Sequence, residues 1–144
     1  MTKPANPKTR REAGFTLLEM LVVLAIMGLL AAIVAPQVLK YLGSSRTQTA
    51  KVQIQNITAA LELYRLDVGR YPTSEEGLNG LVAAPSSAGG WNGPYLQKPS
   101  ALKDPWDQPY LYRIPGQHGE VDVYTLGSDK AEGGTGEGKD VGNW

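Results

Sequence analysis

One carboxylate, Glu19, stands near the start of a predominantly apolar run from Phe15 to Ala35. A charge in a membrane helix is costly, roughly 2.5–3.5 kcal/mol at the centre on insertion scales, so one that is kept has a partner and a task. A second concentration of chemistry lies at the other end of the chain, where Asp129, Glu132, Glu137 and Asp140 fall among the six glycines of Gly127–Trp144. Such a segment buries too little apolar surface to offset its ordering entropy. Two readings fit it: a solvated acidic tail, or a loop that folds around calcium. Calcium takes six to eight oxygen ligands, carboxylates mixed with carbonyls, and glycines let a backbone bend around it. No EF-hand pattern is present. The lone His118 sits in the turn-forming string Pro115-Gly116-Gln117-His118-Gly119 with no nucleophile marked beside it, which gives no Ser/His/Asp constellation. The late glycines lack Walker spacing, and the chain has no cysteine to serve as nucleophile, soft metal ligand or disulfide partner.

The elements that must position these groups follow from periodicity. Phe15–Ala35 is long enough to span a bilayer as one helix. It is too long for the roughly 7–15-residue core of a secretory signal, and Ala31–Ala35 offers only a weak Ala-x-Ala-like cleavage site. Lys3, Lys8, Arg10 and Arg11 give the positive flank of a membrane anchor, but an anchor alone leaves Glu19 unexplained. Beyond Pro36 and a loosening Gly43-Ser44-Ser45, the residues Ala50, Ile54, Ile57, Leu61, Tyr64 and Val68 recur at spacings of four and three. They form one apolar stripe, opposite Lys51, Gln55, Glu62 and Arg65. The reading is one long helix from about Phe15 to Asp67, membrane-embedded first and docked on a globular head second. Gly69 and Tyr71-Pro72 stop it.

A mostly irregular stretch follows to Lys103, with a short helix starting at Glu75-Glu76, capped by Thr73 or Ser74 and burying Leu78, Leu81 and Val82. Tyr110–Ile114 and Val121–Leu126 read as antiparallel strands about the Pro115–Gly119 turn. A small sheet of two or three strands packed on the helix stripe makes the fold class α+β. The 144 residues suit one domain plus an anchor. The 14 basic and 14 acidic residues balance. Without the four bases and one acid of residues 1–14 the charge is −3, which offers no basic patch for nucleic acid.

Gly14-Phe15-Thr16-Leu17-x-Glu19 beside the apolar helix and Pro36 resembles the class III signal peptide of type IV pilins and pseudopilins. The resemblance implies that a prepilin peptidase removes residues 1–14, cutting between Gly14 and Phe15, and methylates the new N-terminus at Phe15. Glu19 then takes the family's assembly role, neutralising the α-amino group of Phe15 on a neighbouring subunit. The head narrows the resemblance to the major pseudopilins of type II secretion systems. It carries their Gly69-Arg-Tyr-Pro-Thr73, Glu76-Gly77-Leu78, Gly93-Pro94-Tyr95-Leu96, Asp104-Pro105-Trp106, Pro109-Tyr110, Tyr124-x-Leu-Gly-Ser-Asp129 and Asp140-Val-Gly-Asn-Trp144 strings in order. Asp107 departs from the family, which usually has glycine there.

This resemblance implies a leader (1–14), a transmembrane assembly helix (15–36) and a periplasmic pilin-like domain (37–144). The implied function is that of a non-enzymatic filament subunit of the secretion pseudopilus, which helps export folded proteins across the outer membrane. Implied partners are further copies of the chain, minor pseudopilins, prepilin peptidase and the inner-membrane assembly platform; the implied location is the inner membrane, single-pass, with the head in the periplasm. It also implies Ca²⁺ in the tail, with carbonyls of Leu126 and Val141, an oxygen of Ser128 and the carboxylate of Asp129. The family's second carboxylate falls on Gly136, so Glu137 or Asp140 must replace it. Two alternatives are carried: a type IV pilin for adhesion or motility, against which the missing cysteines and the Asp-Pro-Trp and Asn-Trp strings speak, and a membrane-anchored periplasmic enzyme or ligand-binding domain, for which the small head leaves little room.

Overall fold

The computed structural model describes residues 14–144; the leader expected at 1–14 therefore lies outside the described residues except for Gly14. The chain divides into two units, the first ending at Val38 and the second comprising Leu39–Trp144.

Helix α1 runs Leu17–Val68, close to the expected limits. Thr16 starts it: its hydroxyl oxygen accepts the Glu19 backbone N–H at 3.2 Å, the N-cap geometry that satisfies one otherwise orphaned donor. Within α1 lies an 18-residue window of mean hydropathy 2.8, and the side chains from Phe15 to Leu42 are exposed throughout. In water such a surface would be expensive. Pro36 lies inside the helix without ending it. Gly43-Ser44-Ser45 does not loosen the chain as expected. The helix runs through it, with the Ser44 hydroxyl donating to the Tyr41 carbonyl at 2.9 Å and Thr47 to the Gly43 carbonyl at 3.2 Å, back-bonds that a continuous helix tolerates. At the far end Gly69 turns left-handed (φ 82°) and donates to the Arg65 carbonyl at 2.8 Å, closing the helix.

The stripe predicted on α1 is the core of the second unit. Ala50, Ile54, Ile57, Leu61 and Tyr64 are buried against Leu78, Leu81, Tyr110, Val121, Val123 and Val141, with Val68 packed at the edge. Each large aliphatic side chain so buried contributes about 1.5–3 kcal/mol. The short helix expected from Glu75 is instead a 3₁₀ helix, Gly77–Leu81. Gly77 donates to the Thr73 carbonyl at 2.8 Å, closing a single α-type turn, and its left-handed φ of 55° ends that turn, so no α-helix propagates from Glu75. Leu78 and Leu81 are buried as expected, but Val82 is only partly buried.

Strands β1 (Leu111–Arg113), β2 (Asp122–Thr125) and β3 (Val141–Gly142) form an antiparallel sheet in that order, with Tyr112 opposite Val123 and Val141 opposite Thr125. The tail is thus not free. It leaves the sheet after β2 and returns to it as β3.

Candidate functional site

Two places hold the residues singled out by chemistry. At the start of α1, Gly14 and Phe15 are exposed and precede the first helical turn, which contains Glu19. A carboxylate there suits the positive end of the helix dipole. Among the described residues the Glu19 carboxylate has no cationic partner within ion-pair distance.

The second place is the tail loop between β2 and β3, and its entry is built by a buried carboxylate that sequence reading missed. Asp104 is 5% exposed. One oxygen accepts the backbone N–H groups of Trp106 (2.9 Å) and Gln108 (2.8 Å), and the other accepts the hydroxyl of buried Thr125. Thr125 in turn accepts the Gly127 N–H at 3.2 Å. The Asp-Pro-Trp string therefore works as a bracket: its acid satisfies its own turn and holds the residue from which the tail departs. Within that turn Asp107 adopts φ 63°, the left-handed region that aspartate tolerates better than most residues. This explains why a glycine suits the position.

Gly127 (φ 71°) must lack a side chain, since a Cβ would press on the Glu137 carbonyl and lie 3.0 Å from the Gly138 carbonyl carbon. Gly127–Asp129 then makes a 3₁₀ turn. Asp129 Oδ1 accepts the Ala131 N–H at 3.1 Å, while Oδ2 points into the loop. A Cβ built on Gly138 would lie 2.5 Å from that oxygen and one on Gly134 2.7 Å, whereas one on Gly136 would meet nothing within 4 Å. The positions that face Asp129 are thus 134 and 138, not Gly136. The Gly138 carbonyl oxygen crowds the same point beside Gly134, so a carboxylate and a carbonyl oxygen converge. Asp140 Oδ2 accepts the Gly133 N–H at 2.9 Å, and its Oδ1 is buried with no hydrogen-bond partner among the described residues. An unpaired buried carboxylate oxygen costs about 1–3 kcal/mol or more, and a cation would offset that cost. No group of three or more His, Asp or Glu side chains converges among the described residues, so most ligands of such an ion would be backbone oxygens. Calcium accepts that mixture.

Leu126 is half-buried at the loop entry, Ser128 is exposed, and Val141 is buried in β3. Glu137 is engaged elsewhere: its carboxylate accepts the Trp106 indole N–H at 3.2 Å and lies 3.7 Å from the Arg46 guanidinium of α1. His118 is tied by its ring to Asp122 at 3.2 Å and stacks on Trp144 at 3.8 Å between ring centroids. Burial alone would raise the Asp122 pKa; the N–H of Gln117, then the ring and N–H of His118, outweigh it and hold the carboxyl below its usual value. Asn143, next to Trp144, extends the sheet through side chain and backbone, exchanging 3.1 Å bonds with Val121 and Val123. These roles of Asp122 and Asn143 left no periodic signal, although the Asn-Trp string marked their neighbourhood.

A further buried hub fixes the stretch after α1. Glu76 accepts both Arg70 guanidinium nitrogens (2.7 and 2.8 Å), the Thr73 N–H (2.8 Å) and the Ser87 hydroxyl. The Arg70 bonds dominate in holding its carboxyl well below the usual carboxylate range, against the opposing effect of burial.

Residues 37–144 match the family model described as type II secretion system (T2SS), protein G, and residues 9–35 match the prokaryotic N-terminal methylation motif. Type II secretion system core protein G of Pseudomonas aeruginosa is 43% identical over 94% of this chain and 96% of its own length. The protein of the same name from Vibrio cholerae is also 43% identical, over 95% and 94%. The crystal structure of the major pseudopilin from the type 2 secretion system of enterohaemorrhagic Escherichia coli superposes with TM-score 0.60 at 30% identity, covering 70% of this chain and 88% of that one. Head, methylation motif and fold agree over nearly the whole length, and the chain belongs to the type II secretion system protein G family.

Proposed function

We propose that this chain is the major structural subunit of a type II secretion pseudopilus, anchored in the inner membrane as a single-pass protein with its head in the periplasm. The observation that carries the reading is the union, in one chain, of the methylation motif, an exposed apolar helix and a head matched to protein G. Self-association is the work of such a subunit, and it performs no covalent chemistry itself. Prepilin peptidase would cut after Gly14 and methylate Phe15; copies of α1 would then bundle, with minor pseudopilins and the assembly platform as further partners. Glu19 on one copy would neutralise the Phe15 amino group of the next. Leaving such a pair incomplete at low dielectric is costly, so it favours correct register. Expression in a type II secretion strain lacking its own protein G should restore filaments and secretion. Intact membrane insertion with neither would overturn the reading.

The same proposal includes calcium in the tail loop, held by Asp129 and Asp140 with backbone oxygens of Leu126 and Val141 and an oxygen of Ser128. The support is the convergence of oxygens on Asp129 and the unpartnered Asp140 Oδ1. When bound, the ion would neutralise the acids that hold it and tie the two ends of the loop together. An ion a hundredfold above its Kd adds about 2.7 kcal/mol to the native state. The full chain in detergent should melt higher in calcium than in chelator, and Asp129→Ala should abolish the difference while barely moving the chelated melting point. A wild-type melting temperature indifferent to millimolar calcium removes the ion from the account.

A further inference from the structure

We propose that Glu137 is a positioning residue that seats the tail loop on α1 at Gly43, and that it is not a cation ligand. Gly43 is the first buried residue of α1, and glycine in a helix interior is weaker than alanine, so its presence calls for a contact. That contact is the Glu137 side chain. A Cβ on Gly43 would overlap Glu137 Oε1 and lie 2.5 Å from its carboxyl carbon. The other oxygen accepts the Trp106 indole N–H at 3.2 Å and faces Arg46 at 3.7 Å. Trp106 belongs to the turn that Asp104 brackets, so Glu137 is gripped from the helix on one side and from the Asp-Pro-Trp turn on the other.

The 3₁₀ turn Gly136–Gly138 that carries Glu137 presents its next residue, Gly138, to Asp129 Oδ2. One turn of chain thus has α1 on one side and the Asp129 oxygen on the other. Whatever unseats Glu137 shifts the wall of the Asp129 pocket, and by linkage whatever orders that pocket tightens the seat. This second statement rests on the calcium reading of the tail; the seat itself does not.

The experiment uses the full chain in detergent micelles, with Gly43→Ala, Glu137→Gln, Glu137→Ala and the double variant Gly43→Ala/Glu137→Ala. Amide hydrogen exchange of 127–140 is measured in chelator, with Ile54–Leu61 as the folding control, and calcium affinity is measured by titration. Gly43→Ala and Glu137→Ala should each raise tail exchange about tenfold and weaken calcium about tenfold, while the double variant should be no worse than Glu137→Ala alone. Glu137→Gln still fills the seat and accepts the Trp106 hydrogen, so it should stay within about twofold of wild type in both readouts. Calcium affinity lost as completely in Glu137→Gln as in Glu137→Ala would make Glu137 a ligand and overturn the proposal. Wild-type exchange in Gly43→Ala, or additive effects in the double variant, would overturn it too. If wild type takes up no calcium, the cation reading fails on its own, and the exchange measured in chelator still decides whether the seat exists.

Discussion

Removing the Asp104 carboxylate should unlatch the tail more effectively than any change within the tail. Asp104 and Thr125 are 5% and 2% exposed, so water does not replace a lost bond between them. Asp104→Ala deletes two charge-assisted bonds from the Trp106 and Gln108 N–H groups and the one from the Thr125 hydroxyl. At about 1.5 kcal/mol for each of the first two and about 1 for the third, the loss is roughly 4 kcal/mol. In a domain of this size a kcal/mol moves the melting temperature by about 5 °C, so the head should melt some 20 °C lower. Asp104→Asn keeps an oxygen for the two N–H groups but turns an amide towards Thr125, whose buried hydroxyl loses its acceptor; a smaller loss of about 1–2 kcal/mol is expected. The assay is thermal melting of the full chain in detergent, followed by near-ultraviolet circular dichroism. Equal losses for Asn and Ala, or a loss below about 1 kcal/mol for Ala, would refute the bracket.

Glu19→Ala should insert into membranes more favourably, by up to roughly 2.5–3.5 kcal/mol, yet assemble few filaments; normal filament yield by electron microscopy would contradict the intersubunit pairing. Coexpression with prepilin peptidase should yield N-methyl-Phe15 by mass spectrometry, and Gly14→Leu should leave the leader attached. Acid should destabilise the head through Glu76 and Asp122. Both carboxyls have folded pKa values below their unfolded ones, so their contribution is complete above the unfolded carboxylate pKa and is lost as pH falls through the folded one. Melting temperature should therefore be flat near neutrality and fall below roughly pH 5, and Glu76→Gln should flatten that fall; an unchanged slope in the variant would assign the acid sensitivity elsewhere.

The local devices were legible in the chain. Glu19 in an apolar run, the stripe Ala50–Ile54–Ile57–Leu61–Tyr64, the helix stop at Gly69 and the two longer strands rest on periodicity and on single-residue backbone preferences, which act between near neighbours. The tail's acids and glycines were visible too, but not which of them face one another. That Gly138 and not Gly136 opposes Asp129, that Glu137 turns to Gly43, and that Asp104 holds Thr125 were decided by tertiary structure. Their partners lie 21 residues apart for Asp104 and Thr125 and 31 for Trp106 and Glu137. A glycine inside a helix reads locally as weakness; only the arrival of a distant carboxylate turns Gly43 into a seat. Polar contacts of this kind have no period, because they depend on where the folded backbone brings two unmet groups together, and burial then makes each bond too costly to leave unmade.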